Sequence, residues 1–284
     1  MGTGLGGDGV YAMGDGVDVT PIISKKGRPE LTVLTMFVAR DKMFNMWLRN
    51  FHKMKFPKAK THILWIGFTK GNKQFGIRLK KEFLSLSGFH SNTLVLNHEH
   101  QVAKGGDKKG GDWTNRNQAI TDGYNFSREY VNDPDYVLLF EDDIIAPQDA
   151  YAQLLPYMEN NHIGQICGRV PYRPNGRHRG KTLAWNCHPR HIVTNGTVDT
   201  QYEVYYVDKQ HGGVEEVGST TFGCTLIRGH LFRSTIMQNK LMGIMGPDVT
   251  YGPLIKEHGF KSMLNNWVHC QQMHENKGRV ELYA

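Results

Sequence analysis

The 284-residue chain is 39% hydrophobic and 11% aromatic, enough to bury a sizeable core, which excludes wholesale disorder. No apolar run approaches the roughly 18 residues that a membrane span requires, and the N-terminus has no basic-then-apolar leader pattern, so the expectation is a soluble cytoplasmic protein. The formal charge of +7 is uneven: Asn50 to Gly110 holds twelve Lys and Arg against three acids, a net +9, and Tyr172 to His191 holds five basic residues and no acid, which favours an anionic partner.

Residues 1 to about 28 are rich in Gly and Asp and read as a flexible arm. From residue 29 onward the pattern is that of one domain. Leu31 to Val38 is rich in β-formers and reads as a first strand, and Asp41 to His52 as a helix with Met43, Met46, Trp47 and Phe51 on one stripe. His62 to Gly67 is a second strand, Gln74 to Leu86 a helix and Thr93 to Leu96 a third strand. Strands alternating with helices at this interval imply an α/β fold with a parallel sheet. The glycine- and lysine-rich stretch Gly105 to Gly111 reads as a loop, and Thr114 or Asn115 caps a helix running to about Val131 with Arg116 and Asn117 in its first turn.

Tyr136-Val137-Leu138-Leu139-Phe140 then runs straight into Glu141-Asp142-Asp143. Five consecutive apolar or aromatic residues suit a strand buried on both faces, and three carboxylates cannot continue into such a core. They therefore belong at the strand's carboxyl end, the edge of an open α/β sheet where ligands bind. Their oxygens suit a hard divalent cation such as Mg or Mn, so the segment is a candidate metal–diphosphate site. A solvated acidic turn is the plainer alternative.

Beyond it, Gln148 to Met158 reads as a helix and Gly164 to Val170 as a strand. Residues 172 to about 212 break the alternation as a polar, basic, loop-like insertion carrying Tyr172, Trp185, Tyr202, Tyr205 and Tyr206, and insertions of this kind tend to bind ligands. Thr225 to Ile227 is a strand, and a helix follows Asp248 to about His258. Pro253 belongs in that helix's first turn if it is to be tolerated, which puts Asp248 at or just before its amino end. The four cysteines contain no CxxC pair and suit reduced thiols. Cys187-His188 with His191, or His269-Cys270 with His274, are the only candidate zinc groups, and neither has a customary spacing.

Four of these features, in this order, resemble the GT-A glycosyltransferases, particularly the inverting family-two branch. Asn115-Arg116-Asn117 resembles that branch's Arg-Asn element, and Glu141-Asp142-Asp143 its DxD motif with Glu in the first place. Gly218 to Arg228, with Gly223 at its centre, is similar to the glycine-rich strand facing the donor sugar. Pro247-Asp248 and the helix to Gly259, ending at His269, resemble the catalytic helix followed by a late metal-binding histidine. The likeness covers roughly residues 31 to 270. The first strand departs from the family, ending Phe37-Val38-Ala39-Arg40-Asp41 where Pro-x-Tyr-Asn is usual, and the second ends Gly67-Phe68-Thr69 where a base-binding Asp is common.

The resemblance implies a GT-A mixed sheet flanked by helices, with a nucleotide-diphosphate sugar as donor and Mn or Mg as cation. It implies Glu141, Asp143 and His269 as metal ligands and Asp248 as the base that takes the acceptor's proton. Asp142 would hold the ribose or sugar, Arg116 and Asn117 the phosphate or base, and Gly223 would face the sugar. For Asp248 the competing use is a helix cap. The basic excess and the aromatic insertion suit DNA carrying hydroxylated bases as acceptor, with saccharide, lipid-carrier or protein acceptors as alternatives. A nucleotidyltransferase or a non-enzymatic nucleic-acid-binding module are the competing classes. The former normally opens with a glycine-rich loop that Phe37 to Asp41 lacks, and the latter leaves the acidic residues idle.

Overall fold

A computed structural model describes residues 11–12, 17–23, 27–38, 40–98, 113–172, 181–194, 197–208, 212–238, 246–276 and 279–283. In chain order the chain forms β1 (Tyr11–Ala12), β2 (Val17–Ile23), β3 (Leu31–Phe37), α1 (Asp41–Lys53), β4 (Thr61–Phe68), α2 (Lys73–Leu84) and β5 (Ser91–Asn97). There follow α3 (Trp113–Ser127), β6 (Tyr136–Phe140), β7 (Ile144–Ile145), α4 (Ala150–Leu154), β8 (Ile163–Arg169), β9 (Lys181–Thr194) and β10 (Thr197–Asp208). The last part is β11 (Val214–Val217), β12 (Ser219–Thr220), β13 (Cys224–Arg228), α5 (Gly229–Ser234), α6 (Pro247–Glu257), β14 (Lys261–His269), β15 (Gln271–Asn276) and β16 (Arg279–Tyr283).

Ten strands form one sheet in the order β1-β2-β5-β4-β3-β6-β13-β8-β14-β11. The four from β5 to β6 are parallel, β13 is antiparallel to both its neighbours, and β8 and β14 run parallel to each other. The sheet is therefore mixed where the alternating pattern alone implies a parallel one. The carboxyl ends of β3, β4, β5, β6, β8 and β14 nevertheless share one edge. The chain leaves β3 towards β4 and β5, then returns to place β6 on β3's other side, so the order reverses between β3 and β6. In an open α/β sheet that reversal opens a crevice at the carboxyl edge.

Both faces of the sheet are covered, as its apolar strands require. On one face Leu31, Val33, Ile63, Trp65, Leu138 and Phe140 pack under α1, α2 and α4. On the other Leu34, Leu64, Ile66, Val137 and Leu139 pack under α3, α5 and α6. Phe37, Phe44, Trp47 and Trp65 make an aromatic knot beneath the crevice, with Trp47 edge-on to Phe37 at 4.9 Å between centroids. Truncating a fully buried Trp of this kind costs about 3–5 kcal/mol, so the end of β3 is held rigidly from below.

Three expectations are corrected. Val17–Ile23, assigned to a loose arm, is a strand antiparallel to β5 from Val17 opposite Asn97 to Ile23 opposite Ser91, with β1 paired on its other side. Its Val, Thr and Ile residues suit a pleated, half-buried surface. Within the stretch 172 to 212, the described residues 181–194 and 197–208 are not loop-like: β9 and β10 form a long antiparallel ribbon in register from Thr194–Thr197 to Trp185–Tyr206, which satisfies the backbone groups that a polar loop would leave to water. Among the described strands of the body, β12 pairs with it, at its base, through Ala184 and Trp185. Pro253 lies inside α6 rather than in its first turn; Pro247 takes the first helical position, and Gly252, one residue before Pro253, donates its N–H to Ser219 Oγ at 3.1 Å. Asp248 still stands in the first turn.

Candidate active site

Glu141, Asp142 and Asp143 leave β6 in a tight turn at the reversal. The Glu141 N–H donates to the Gly223 carbonyl at 3.1 Å and the Ile144 N–H returns to the Glu141 carbonyl at 3.2 Å. β7 then pairs with β15, and the Met273 N–H donates to the Asp143 carbonyl at 2.7 Å, fixing the far side of the turn. Backbone groups hold the turn from both sides, so the three carboxylates have defined directions.

Asp142 faces the neighbouring strand end. Its Oδ2 accepts the Val38 N–H at 3.0 Å and its Oδ1 accepts Arg40 Nη1 at 3.0 Å. The same Nη1 is ion-paired with Asp143 Oδ2. Burial alone would lower the Arg40 pKa, but Asp142, Asp143 and Glu141 outweigh it and raise it. Arg40 is thus a fixed internal cation stitching the β3 end to the β6 end. Sequence reasoning missed it as a site residue. Its only signal was position: the first charged side chain after a strand whose carboxyl end lies beside the acidic one.

The remaining charge is uncompensated. Asp143 Oδ1 is buried without a hydrogen-bond partner. The Glu141 carboxyl is held well above the ordinary carboxylate range by burial first, then by Asp143 and Asp248, with Arg40 opposing. The buried Tyr124 hydroxyl is likewise pushed up by burial and then by Glu141, Asp248, Asp142 and Asp143. A buried, partnerless carboxylate oxygen among like charges is the donor set that a hard divalent cation fits.

Asn117, Glu141, Asp142, Asp143 and Asp248 all line one cavity of about 360 Å³. Asp248 is not the cap of α6: that residue is Gly246, and Asp248 is in the first turn, where a carboxylate also suits the helix dipole. A methyl on Gly246 would lie 2.5 Å from Asp248 Oδ1 and 3.8 Å from Asn117 Oδ1, so the three residues meet closely. The opposite wall is aromatic. Tyr172, Trp185 and Tyr206 line the same cavity from the base of the ribbon, with Tyr206 edge-on to Tyr172 at 5.2 Å and 5.8 Å from Trp185.

Two expected residues stand elsewhere. His269 lines a separate cavity with Arg169, and Gln272 reaches the acidic one in its stead, because β14 has already ended and β15 has begun where the chain passes Asp143. Gly223 lies behind the acidic turn, where a Cβ would sit 3.0 Å from Ile144, while Thr221 and Phe222 line the cavity. The Arg116 side chain lies outside the described residues, as do the His191 side chain and the loop at 105–111. Among the described residues no three His, Cys, Asp or Glu side chains stand together in metal-binding geometry.

No protein-family profile and no curated protein matches the chain. Solved structures do. GalNAc-T7 with UDP, GalNAc and Mn2+ is similar at a TM-score of 0.56 and 11% identity, over 89% of this chain and 45% of that one. The mannosyltransferase PcManGT from Pyrobaculum calidifontis, in complex with GDP-Man and Mn2+, is similar at 0.52 and 13%, over 87% of this chain and 58% of that one. The chain spans about half the length of these two proteins. At such identities the likeness is one of fold, and together with the mixed sheet and its crevice it gives this chain the GT-A fold.

Proposed function

We propose that the chain is a glycosyltransferase that moves a sugar from a nucleotide-diphosphate donor to an acceptor hydroxyl with inversion. The observation that carries this is the convergence of Glu141, Asp142, Asp143 and Asp248 on one cavity at the sheet's reversal, with Asp143 Oδ1 buried and unbonded. Both similar structures contain a nucleotide or nucleotide sugar and Mn2+, which supports the same donor class here. Asp143 and Glu141 would hold Mn or Mg, with diphosphate oxygens completing the set. The cation supplies Lewis-acid neutralisation of the leaving diphosphate.

The protein's own groups do the rest. Arg40 keeps the Asp142 and Asp143 carboxylates in one orientation, so Asp143 offers the cleft a single free oxygen. Asp142, fully engaged by Val38 and Arg40, braces the β3 end against the turn rather than reaching for the ribose. Asp248 takes the acceptor's proton as the new bond forms. Asn117, beside Asp248, orients the donor through its amide.

The acceptor we propose is a hydroxylated base in DNA. Tyr172, Trp185 and Tyr206 wall the cleft and can stack a displaced base, and the chain's +7 charge suits a phosphate backbone. A saccharide stacks on the same rings and is the second reading. The test is release of nucleoside diphosphate by purified protein with Mn or Mg and a panel of nucleotide sugars, with and without DNA containing hydroxymethylated bases. Release stimulated by that DNA is the expected result. Release indifferent to DNA moves the acceptor to saccharides, and no release with any donor overturns the transferase.

A further inference from the structure

β8 ends at Arg169, on the same carboxyl edge as the acidic turn but across β13 from it. Its carbonyl accepts the Cys270 N–H at 2.9 Å, and it lies opposite His269 in the parallel ladder with β14. The residue is only 6% exposed. Among the described residues its guanidinium makes no hydrogen bond and no ion pair. The following segment, 173–180, contains no Asp or Glu.

The protein's other interior guanidinium groups are satisfied. Arg40 has two carboxylates, and Arg228 donates to the carbonyls of Ile163, Met158 and Asn160 at 2.7–2.8 Å. Arg169 has only the burial: its pKa is lowered by desolvation, with no carboxylate raising it. A desolvated cation without a partner is unfavourable. An arginine stem can lie along apolar surface with its head in bulk water, but at 6% exposure the residue as a whole stands largely away from bulk solvent. Its nitrogens are not sealed in, because Arg169 lines a cavity of about 250 Å³ with Ala146, Pro147, Pro171, His269 and Gln271.

We propose that this cavity is an oxyanion-binding site, in which the Arg169 guanidinium takes the two oxygens of a phosphate or carboxylate group. The planar fork of donors matches either group bidentately, and the Ala146, Pro147 and Pro171 walls accommodate the apolar body of the molecule that carries it. The site adjoins the acidic cleft at three places in the chain: Ile145, Pro171 and Gln271 line it, while Asp143, Tyr172 and Gln272 line the cleft, so the two cavities stand side by side on one sheet edge.

The test uses the full chain without metal or sugar donor, so it stands or falls apart from the transferase assignment. Thermal unfolding is followed in sodium phosphate, sodium acetate and sodium chloride of equal ionic strength, for the wild type and for Arg169→Gln. A ligand that binds only the folded state raises the midpoint. The expected result is a rise above chloride in phosphate or acetate that disappears in Arg169→Gln. A rise in phosphate alone assigns a phosphoryl group, and one in acetate alone a carboxylate. No rise in the wild type, or an equal rise in the variant, overturns the site. If Arg169→Gln does not fold, a crystal of the wild type grown in phosphate decides. An anion within hydrogen-bond distance of the guanidinium upholds the site, and a cavity holding only water overturns it.

Discussion

Asp248 and Glu141 carry the same chemical group in one cavity, and the proposed function gives them different tasks. Asp248 stands in the first turn of a helix, beside Asn117 and facing the open cleft, and Asp248→Asn should abolish transfer while leaving donor affinity nearly unchanged. A calorimetric titration with donor beside a turnover assay checks this, and retained turnover removes Asp248 as the base. Glu141 is held above the ordinary value of 4.5, which has a defined consequence for stability. Below the ordinary range it is protonated in both folded and unfolded chain and contributes nothing. As pH rises through that range towards the raised value, the unfolded chain releases its proton first, so the folded state loses stability. Glu141→Gln should therefore be more stable than the wild type at neutral pH without metal, and equal to it below the carboxylate range, as read from denaturation midpoints across pH. Arg40 provides the complementary case. Arg40→Met leaves the Asp142 and Asp143 carboxylates without their counter-ion and should cost about 3 kcal/mol in metal-free buffer. Added Mn should recover much of that loss if these oxygens bind a divalent cation, and a loss indifferent to Mn would argue against metal at Asp143.

At the scale of elements, the position of Asp248 depends on how closely α6 approaches β12. A methyl on Gly252 would meet the Gly218 carbonyl oxygen at 2.1 Å and the Ser219 Cα at 2.6 Å. Alanine is the better helix former by about 1 kcal/mol, so on propensity alone Gly252→Ala would stabilise the chain. The contact predicts the reverse: a loss of about 1–3 kcal/mol from overpacking, together with lowered turnover as the helix and Asp248 shift. Urea unfolding gives the sign. The same elements show what could be read beforehand and why. The positions of β3, β4 and β6 follow from continuous apolar or β-forming runs, because both faces of each strand are buried, and that of α1 from a period-3.6 apolar stripe. The Glu141–Asp143 turn follows from a carboxylate run that no core admits. The ribbon did not, because its many polar and basic residues weaken the apolar pattern of a strand and read as a loop. Its usable signal was Asn195-Gly196, a two-residue hairpin turn flanked by β-formers. Arg40 and the displacement of His269 from the acidic cleft depend on which strand ends become neighbours, and that is a property of topology which no local pattern carries.

Across the whole molecule, charge and shape are distributed differently from what the linear sequence implies. The described part of the basic stretch, Asn50 to His98, does not face the cleft as one patch. Lys53, Lys55, Lys58 and Lys60 gather where α1 ends and β4 begins, at the edge opposite the acidic turn, while Lys70 and Lys73 follow β4 at the cleft edge. Lys60 is moreover paired with Glu30 at 2.8 Å. The features that do converge on the cleft are the acidic turn, α6 and the base of the β9–β10 ribbon. The ribbon's outer part, from Pro189 to Tyr202, pairs strand to strand with itself, and no described strand of the body pairs with it. His188 stands opposite Glu203 in register, so replacing Pro189–Tyr202 by Asn-Gly re-closes the hairpin with a two-residue turn. The shortened chain should keep its thermal midpoint within about 2 °C and its donor hydrolysis without acceptor. Trp185→Ala at the ribbon's base removes a ring that is 5% exposed and should cost about 3–5 kcal/mol. If the trimmed chain instead unfolds as readily as Trp185→Ala, the ribbon is part of the structural core. If it keeps both stability and donor hydrolysis but loses stimulation by acceptor, the outer ribbon is the arm that brings the acceptor to Asp248.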